Sequence, residues 1–436
     1  MRSRIAPTLA RASMAAAAVA VGACLPSPVS WSPDSARVAF VDPTGEDEWT
    51  LWVADVATGA CTPLHVSHSG PSAPAWAPKG DRVACLEAPK EKKGRPTLLL
   101  LPLEGPPTRH LLAPLWEFGD TEATERMLLP AGAPSWRPDG TAVALQFPAG
   151  TEVKTVVVDP ASGQTLREIQ EADLGPAVWA PDGRCLAAIK TGKDSPDAVV
   201  LISPPEWATR TLWRAPPGEG EPRGLPAWSP DGKRLCLVTD PREDDSSQVW
   251  VIDVETGKGE RIRGDGVDGT PAWSPTGDRL ACIAGMGLAY SQYRDDTEKK
   301  AVGRSCLVVI DLNRRRRRPT TLAKDSTGVW DFGAPAWSPD GRWIAYRAFV
   351  GDTGVVRFVR PDGRDPRDIY TGGRHMLRLA RQLLDTAHNV KLEWKERVAA
   401  SNEGERLLRE LPKRFPKANL DAEIAKLDEE AAWFHK

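Results

Sequence analysis

The chain has 436 residues, which is long for one domain, but a repeat protein can reach this length because each unit packs only on its neighbours. Its 57 basic and 59 acidic residues nearly cancel, which excludes an overall field that would draw the protein to nucleic acid or to an anionic membrane. The seven cysteines include no Cys-x-x-Cys pair, which argues against a zinc ribbon or a thioredoxin-like motif, and we expect no disulfide framework.

The N-terminal residues 1–24 have the pattern of an export signal. Three arginines precede an apolar run at 14–23, and that run is shorter than the roughly 20 residues that span a bilayer. Residues 21–24, Val-Gly-Ala-Cys, resemble a bacterial lipobox, so Cys24 is a candidate lipidation site; otherwise it is an ordinary residue beside a conventional cleavage point. We predict an exported protein that is periplasmic or associated with the cell envelope, with a lipid anchor at Cys24 as its sole link to the membrane.

Beyond this segment a Trp-x-Pro element recurs. Its tryptophans are Trp31, Trp76, Trp136, Trp179, Trp228, Trp273 and Trp337, at spacings of 43 to 64 residues. Periods in this range are typical of propellers and solenoids. The fuller form is Pro-Ala-Trp-Ser-Pro-Asp-Gly, in which proline presets the turn, aspartate bonds back to the backbone and glycine accepts a positive φ. The element therefore predicts a tight turn between two strands.

Each turn is followed by alternating apolar strands and by a second turn signal, as in Asp253-Val-Glu-Thr-Gly257. Four short antiparallel strands in a unit of this length correspond to one propeller blade. We predict an all-β fold over residues 27–372, a β-propeller of about seven four-stranded blades whose last blade needs no strand from the N-terminus.

The Trp-Ser-Pro-Asp-Gly element resembles the repeat of the TolB-type propeller family over roughly residues 27 to 372. TolB itself carries an α/β domain ahead of its propeller, whereas here Trp31 lies only a few residues beyond the predicted signal. The resemblance thus implies the fold and a protein partner at the cell envelope, without making the chain an orthologue of TolB. Some repeats depart from the pattern, as at Ser35 where glycine is usual, and we interpret these departures as drift.

From residue 374 to 436 the turn signals thin out and apolar residues appear at helical spacing, as at Met376, Leu379 and Leu383. We predict a short C-terminal α-helical tail, with later helices over 403–415, capped by Ser401 or Asn402, and over 420–434. Such a tail can dock on its own propeller, form oligomers or capture a partner.

Two repeats are longer than the others, and the extra length is expected in loops, where binding usually resides. In the longer of them, Tyr290, Tyr293 and Trp330 are candidates for an aromatic partner-binding surface, although they can equally cover blade edges.

A run of five arginines, Arg314, Arg315, Arg316, Arg317 and Arg318, is the sharpest local charge feature. Such runs can bind phosphates, but this one falls in a turn between strands and is expected to be a solvated loop. It remains a candidate for partner binding, and without an aromatic platform we expect no nucleic-acid partner.

One enzymatic alternative is a serine peptidase in which a propeller gates an α/β-hydrolase domain. This requires a Gly-x-Ser-x-Gly elbow followed by a histidine, and we find neither in a usable position; residues 374–436 are also too few for such a domain.

A second alternative is metal-dependent chemistry in the propeller pocket, as some relatives of this repeat perform on acidic sugars. Of the six histidines only His65 and His68 are close in sequence, and we interpret them as an exposed pair without a metal. The repeat aspartates could form a carboxylate ring but are explained by their turns; they are Asp34, Asp139, Asp182, Asp231 and Asp340.

We therefore predict a non-catalytic scaffold that binds a protein or peptide at the cell envelope, with no catalytic residue, no metal and no cofactor. The alternative is a propeller-pocket enzyme or glycan-binding protein that acts on an exported carbohydrate or peptide.

Overall fold

The fold was obtained as a computed structural model that describes residues 29–434. The ranges outside the description are 46–47, 70, 90–92, 113–115, 119–132, 151, 172, 193–195, 241–246, 263–266, 285–305, 315–316, 318, 325–330, 351–352, 390–391, 393, 417 and 419. The predicted export signal and Cys24 lie outside the described residues.

The described strands form seven sheets, each an antiparallel blade built from one continuous stretch of chain, except for short additions to blades 3 and 7. Blade 1 contains β1 (Ser30–Trp31), β2 (Arg37–Gly45), β3 (Glu48–Asp55) and β4 (Cys61–Ser67). Blade 2 contains β5 (Ala75–Trp76), β6 (Arg82–Glu87), β8 (Thr97–Pro102) and β9 (Thr108–Leu111). Blade 3 contains β11 (Ser135–Trp136), β12 (Val143–Gly150), β13 (Glu152–Val158) and β14 (Thr165–Ile169), and is extended by β10 (Trp116–Phe118) and β7 (Lys93–Gly94).

The remaining blades follow in chain order. Blade 4 contains β15 (Val178–Trp179), β16 (Leu186–Lys190), β17 (Ala198–Ser203) and β18 (Ala208–Trp213). Blade 5 contains β19 (Glu221–Trp228), β20 (Arg234–Asp240), β21 (Gln248–Asp253) and β22 (Gly259–Ile262). Blade 6 contains β23 (Val267–Trp273), β24 (Arg279–Ala284), β25 (Cys306–Asp311) and β26 (Thr320–Lys324). Blade 7 contains β28 (Ala336–Trp337), β29 (Ile344–Val350), β30 (Thr353–Val359) and β31 (Arg367–Ile369), with β27 (Asp331–Phe332) paired to β29. The predicted seven-bladed propeller is confirmed.

The first strands of the blades form the inner ring. Each contacts the first strand of the next blade, and β28 of blade 7 contacts β1 of blade 1, so the ring is closed. Among the described strands none is exchanged at the closure, because both blades there take these strands from their own segments. Side chains contribute to each of the hydrogen bonds described across this seam.

The repeat tryptophans join neighbouring blades. At five seams the indole N–H of one blade donates to a carbonyl oxygen in the first strand of the preceding blade at 3.0–3.2 Å; the donors are Trp31, Trp76, Trp136, Trp228 and Trp273. Between the blades the strand faces meet in separate apolar cores, such as that of Phe40 and Phe358 between blades 7 and 1. The tryptophan thus packs at the seam and satisfies its polar atom there.

The two faces of the ring differ. Because antiparallel strands alternate in direction, the Trp-Ser-Pro-Asp-Gly turns and the turns before each fourth strand lie on one face, here called the turn face. The opposite face is here called the loop face. It carries the hairpins between the second and third strands, and the connections to the next blade start and end there. The sequence insertions, such as the one between Ala284 and Cys306, join strand ends on the loop face.

Turn geometry agrees with the sequence argument. In blade 5 the N–H of Gly232 donates to the carbonyl of Ser229 at 2.9 Å, and Gly232 has a φ of +68°. Ser35 occupies the same position in blade 1 with a φ of +62°, which is unfavourable for a residue with a side chain. Its hydroxyl accepts the backbone N–H of Asp340 in blade 7 at 3.0 Å. Ser35 is therefore not drift, since its side chain bonds across the closing seam.

Three helices follow the propeller: α1 (Gly373–Ala387), α2 (Trp394–Arg414) and α3 (Asp421–Phe434). The predicted start of the second helix is wrong, because α2 begins nine residues before 403 and Ser401 lies inside it, fully buried. Tertiary packing overrides its capping preference. Pro412 is accommodated in the last turn of α2.

The tail docks on the propeller, and its apolar side chains continue the core between blades 6 and 7. Met376, Leu379 and Leu383 of α1 join Ile283 of blade 6 and Val355 of blade 7 in one cluster. None of the described helices is long and apolar enough to cross a membrane. No disulfide joins Cys61, Cys85, Cys185, Cys236 and Cys282.

Candidate functional site

The repeat aspartates are engaged in their own turns. Each accepts the backbone N–H two residues further on at 2.9–3.1 Å; the acceptors are Asp34, Asp139, Asp182, Asp231 and Asp340. For Asp34, the hydrogen bond from the Ser32 hydroxyl is the main cause that lowers the pKa of the carboxyl. These groups hold the turn face together, as the sequence analysis expected.

The predicted partner-binding residues are not brought together by the part of the chain that the structure describes. Tyr290, Tyr293, Trp330, Arg315, Arg316 and Arg318 lie outside the described residues. Arg314 and Arg317 lie on the turn face between β25 and β26 and contact acidic residues. Arg314 binds Asp311 at 3.1 Å and Arg317 binds Glu260 at 2.6 Å. Their role in partner binding stays a prediction.

The loop face carries a different polar group in the groove between blades 1 and 2. We call it the His65 group, and it consists of His65, Ser67, Glu87 and Arg109. His65 and Ser67 lie two residues apart on β4, so their side chains point to the same side of the strand. Glu87 ends β6 and Arg109 lies on β9, both in blade 2. The group therefore joins two blades at their loop-face ends.

Glu87 is the centre of this group. His65 Nε2 lies 3.2 Å from Glu87 Oε1, and Arg109 Nη1 lies 3.3 Å from Glu87 Oε2. Burial raises the pKa of Glu87, but hydrogen bonds from His65 and Ser67 and the charge of Arg109 outweigh it, so the pKa lies below its usual value. Glu87 is ionised at neutral pH.

An ionised Glu87 defines the tautomer of His65. Because the carboxylate only accepts, Nε2 must carry a proton and donate, so that in the neutral imidazole the lone pair lies on Nδ1. Within the described residues Nδ1 has no hydrogen-bond partner. A histidine oriented by a carboxylate, with its other nitrogen unprotonated, has the arrangement of a general base.

Sequence reasoning overlooked this group. His65 was interpreted as part of an exposed pair, yet only 11% of its side chain is exposed. Its partner lies 22 residues away on another blade, so a local motif could not have found it. Aligning the repeats by strand register was the available signal. In that alignment Glu87 and Asp42 occupy the same position on the second strands of blades 2 and 1, so an acidic residue recurs there.

Among the described residues no group of three or more His, Cys, Asp or Glu side chains is arranged to hold a metal ion. His68, the sequence neighbour of His65, is exposed.

Comparison with known proteins gave the following. No family model matches the chain. The "Uncharacterized peptidase YuxL" of Bacillus subtilis (strain 168) is 29% identical over 220 residues, which cover 44% of this chain and 31% of that protein. The chain therefore spans about a third of the length of the curated relative that it matches.

Several solved structures are similar. An oligogalacturonate lyase in complex with manganese has a TM-score of 0.56 at 15% identity, over 77% of this chain and 89% of that one. A puromycin hydrolase has a TM-score of 0.54 at 15% identity, over 81% of this chain and 55% of that one. TolB from Acinetobacter baumannii has a TM-score of 0.47 at 20% identity, over 70% and 67%. At these identities the likeness concerns the fold alone.

These findings contradict one prediction made from the sequence and agree with another. The prediction that the chain is not an enzyme is contradicted. The curated relative is named a peptidase, and the similar solved structures include a hydrolase and a lyase. The recognised fold is confirmed: the chain is a seven-bladed β-propeller similar to the TolB-type propellers.

Proposed function

We propose that this chain takes part in peptide hydrolysis, with the His65 group on the loop face as its acid–base centre. The observation that carries the proposal is the similarity to a protein named as a peptidase, at 29% identity over 220 residues. The chain is also similar to the solved structure of a puromycin hydrolase, and a hydrolase agrees with this class of reaction. This proposed function replaces the predicted function of a non-catalytic scaffold.

The chemistry assigned to the group is general-base hydrolysis. The lone pair on His65 Nδ1 takes a proton from a water molecule while the water oxygen attacks the carbonyl carbon of the peptide. The same nitrogen then returns the proton to the leaving amine as the C–N bond breaks, so that protons balance. Glu87 holds the imidazole and stabilises the imidazolium that forms.

Arg109 supplies the positive charge of the site. Its side chain is 51% exposed, whereas that of Glu87 is 15% exposed, so the guanidinium is the part of the group that faces solvent. A cation at this place favours the negative charge that develops on the attacked carbonyl oxygen. It also favours a substrate that ends in a carboxylate.

The test is a peptidase assay with the full chain on aminoacyl and quenched fluorogenic peptides. His65→Gln and Glu87→Gln keep side-chain volume and hydrogen bonding but remove the base or its orienting charge. We expect kcat/KM to fall on the order of 100-fold or more in His65→Gln. His110→Gln is the matched control, because His110 also lies half-buried on a fourth strand but bonds to the Pro160 carbonyl at 3.0 Å.

Each result has a meaning. Equal loss in the His110 control would assign the effect to folding and remove the support for His65. Peptide hydrolysis that survives His65→Gln would place the chemistry elsewhere. Cleavage of oligogalacturonate with manganese, without peptide hydrolysis, would replace the proposal with a lyase activity.

A further inference from the structure

The seam between blades 7 and 1 is the point where the ring must be closed by side chains. Three polar contacts between described residues cross it. Trp31 Nε1 donates to the Ala336 carbonyl at 3.1 Å, the Asp340 N–H donates to Ser35 Oγ at 3.0 Å, and Arg347 forms an ion pair with Asp42. None of the described strands is exchanged here.

The ion pair distinguishes this seam from the others. Arg347 and Asp42 are each only 3% exposed. At the other six seams, the residues at the same two strand positions include no pair of opposite charges, as with Ile189 and Thr239 between blades 4 and 5. The attraction within such a pair is strong only where water is excluded, and it offsets the cost of burying the two charges only when the geometry is good. The attraction therefore depends on an element that keeps water away from the pair.

Helix α1 packs against β29, the strand that carries Arg347, and it is anchored on blade 7. Buried His375 lies at the interface, where its Nε2–H donates to the Gly354 carbonyl at 2.7 Å and its Nδ1 accepts the Thr371 N–H at 3.0 Å. Thr353 of blade 7 bonds to Gln382. Apolar residues of the helix complete the anchor in the core that blades 6 and 7 share with the tail.

The same helix also reaches blade 1. Arg378 Nη2 donates to the carbonyl of Pro43 at 3.0 Å, and Pro43 is the residue directly after Asp42. The two charges also act on His375, since Asp42 raises the pKa of its imidazole and Arg347 lowers it. One helix thus contacts both sides of the seam at the place where the ion pair lies.

We propose that helix α1 is a latch that keeps the ring closed: it is anchored on blade 7, contacts blade 1 at Pro43 and covers the Asp42–Arg347 pair. Undocking the helix admits water to the pair, which weakens the charge interaction, and the seam between blades 7 and 1 opens before the other six. The latch takes the place of strand exchange in this ring. The inference does not depend on the proposed function.

The seam tryptophans offer a direct readout. Trp31 reports the 7–1 seam through its indole N–H, whereas Trp76, Trp136, Trp228 and Trp273 report other seams through the same kind of bond. Hydrogen exchange of these five indoles, followed by NMR in protein labelled with ¹⁵N-tryptophan, measures the opening of each seam separately.

Three variants are compared with the intact chain: a chain ending at Gly372, and the full-length substitutions His375→Ala and Arg378→Ala. We expect the Trp31 indole to exchange on the order of tenfold faster in the first two and less so in Arg378→Ala, with the other four indoles unchanged. Arg381→Ala is the matched control, because Arg381 is exposed on the same helix outside the seam contacts.

If the shortened chain does not fold, the two full-length substitutions decide. Unchanged Trp31 exchange in both of them would overturn the latch. An equal acceleration at all five indoles would also overturn it, because it would show general destabilisation.

Discussion

The indole N–H of Trp31 donates to the carbonyl oxygen of Ala336 at 3.1 Å, and these two residues lie 305 positions apart in the chain. The equivalent bonds at four other seams join residues 46 to 61 positions apart. The contact that closes the ring is thus chemically the same as the others but must be formed between the two ends of the propeller. Closing so long a loop has an entropic cost that rises with its length, so we expect the first–last seam to form last.

Trp31→Phe should lower the free energy of unfolding by about 1–3 kcal/mol, because it leaves the Ala336 carbonyl without its donor and reduces the packed volume. Trp76→Phe is the matched change at the next seam, where the indole donates to the Ser30 carbonyl at 3.1 Å. Urea unfolding monitored by circular dichroism measures both. A loss at Trp76 alone would show that the closing seam does not contribute to stability.

Asp42→Asn should destabilise the fold by roughly 3–5 kcal/mol, because it leaves the Arg347 guanidinium buried without its counter-charge. The double change Asp42→Leu with Arg347→Met removes both charges and should recover much of the loss. Thermal and urea unfolding of the single and double variants give the coupling between the two residues. Additive losses would contradict a direct interaction.

Stability should fall as the solution is acidified below the ordinary histidine pKa. Burial lowers the pKa of His375, with Arg347 and Arg378 acting in the same direction and Asp42 and the Gly354 carbonyl opposing them. The unfolded chain then binds more protons than the folded one once the pH drops below about 6.5, so the contribution of neutral His375 is present above that pH and is lost below it.

The measurement for this is the melting temperature of wild type and His375→Gln between pH 5 and pH 8. The wild type should lose more stability than the variant on the acid side. Parallel curves would show that another group accounts for the pH dependence.

Gly257→Ala should be costlier than Gly105→Ala. Both glycines have a positive φ, of +68° and +96°, so an alanine is strained at either position. A Cβ at 257 would in addition lie 2.8 Å from the Leu212 carbonyl oxygen of the neighbouring blade, whereas nothing lies within 4 Å of a Cβ at 105. The difference in unfolding free energy between the two variants isolates the contact between blades 4 and 5, and equal losses would contradict it.

The core thiols should be unreactive until the protein unfolds. Burial raises the pKa of Cys282 to about 12 and raises that of Cys236 well above its usual range. Both side chains are fully buried, so a reagent cannot reach them, and the raised pKa keeps each thiol protonated. Maleimide labelling followed by peptide mapping should modify them only in denaturant, and rapid labelling of either one in the native protein would contradict the packing of blades 5 and 6.

How far the fold could be predicted depends on how local its signals are. The Trp-Ser-Pro-Asp-Gly turn is specified by four or five neighbouring residues, so its recurrence gave the number of blades and their strands directly. The start of α2 was predicted too late because Ser401, a good cap in isolation, lies buried inside the helix. The His65 group could not be predicted because its two halves lie on different blades.

Sequence alone determined that this protein is a propeller of about seven blades with a helical tail, since turn chemistry and apolar alternation are properties of short segments. Only the tertiary structure decided which blades meet at the closing seam. It is there that Ser35 accepts a bond from Asp340 and that Asp42 finds Arg347. Ser35 and Arg347 depart from the residue types of the other repeats, and the role of each follows from a contact that exists only after the two ends of the propeller have come together.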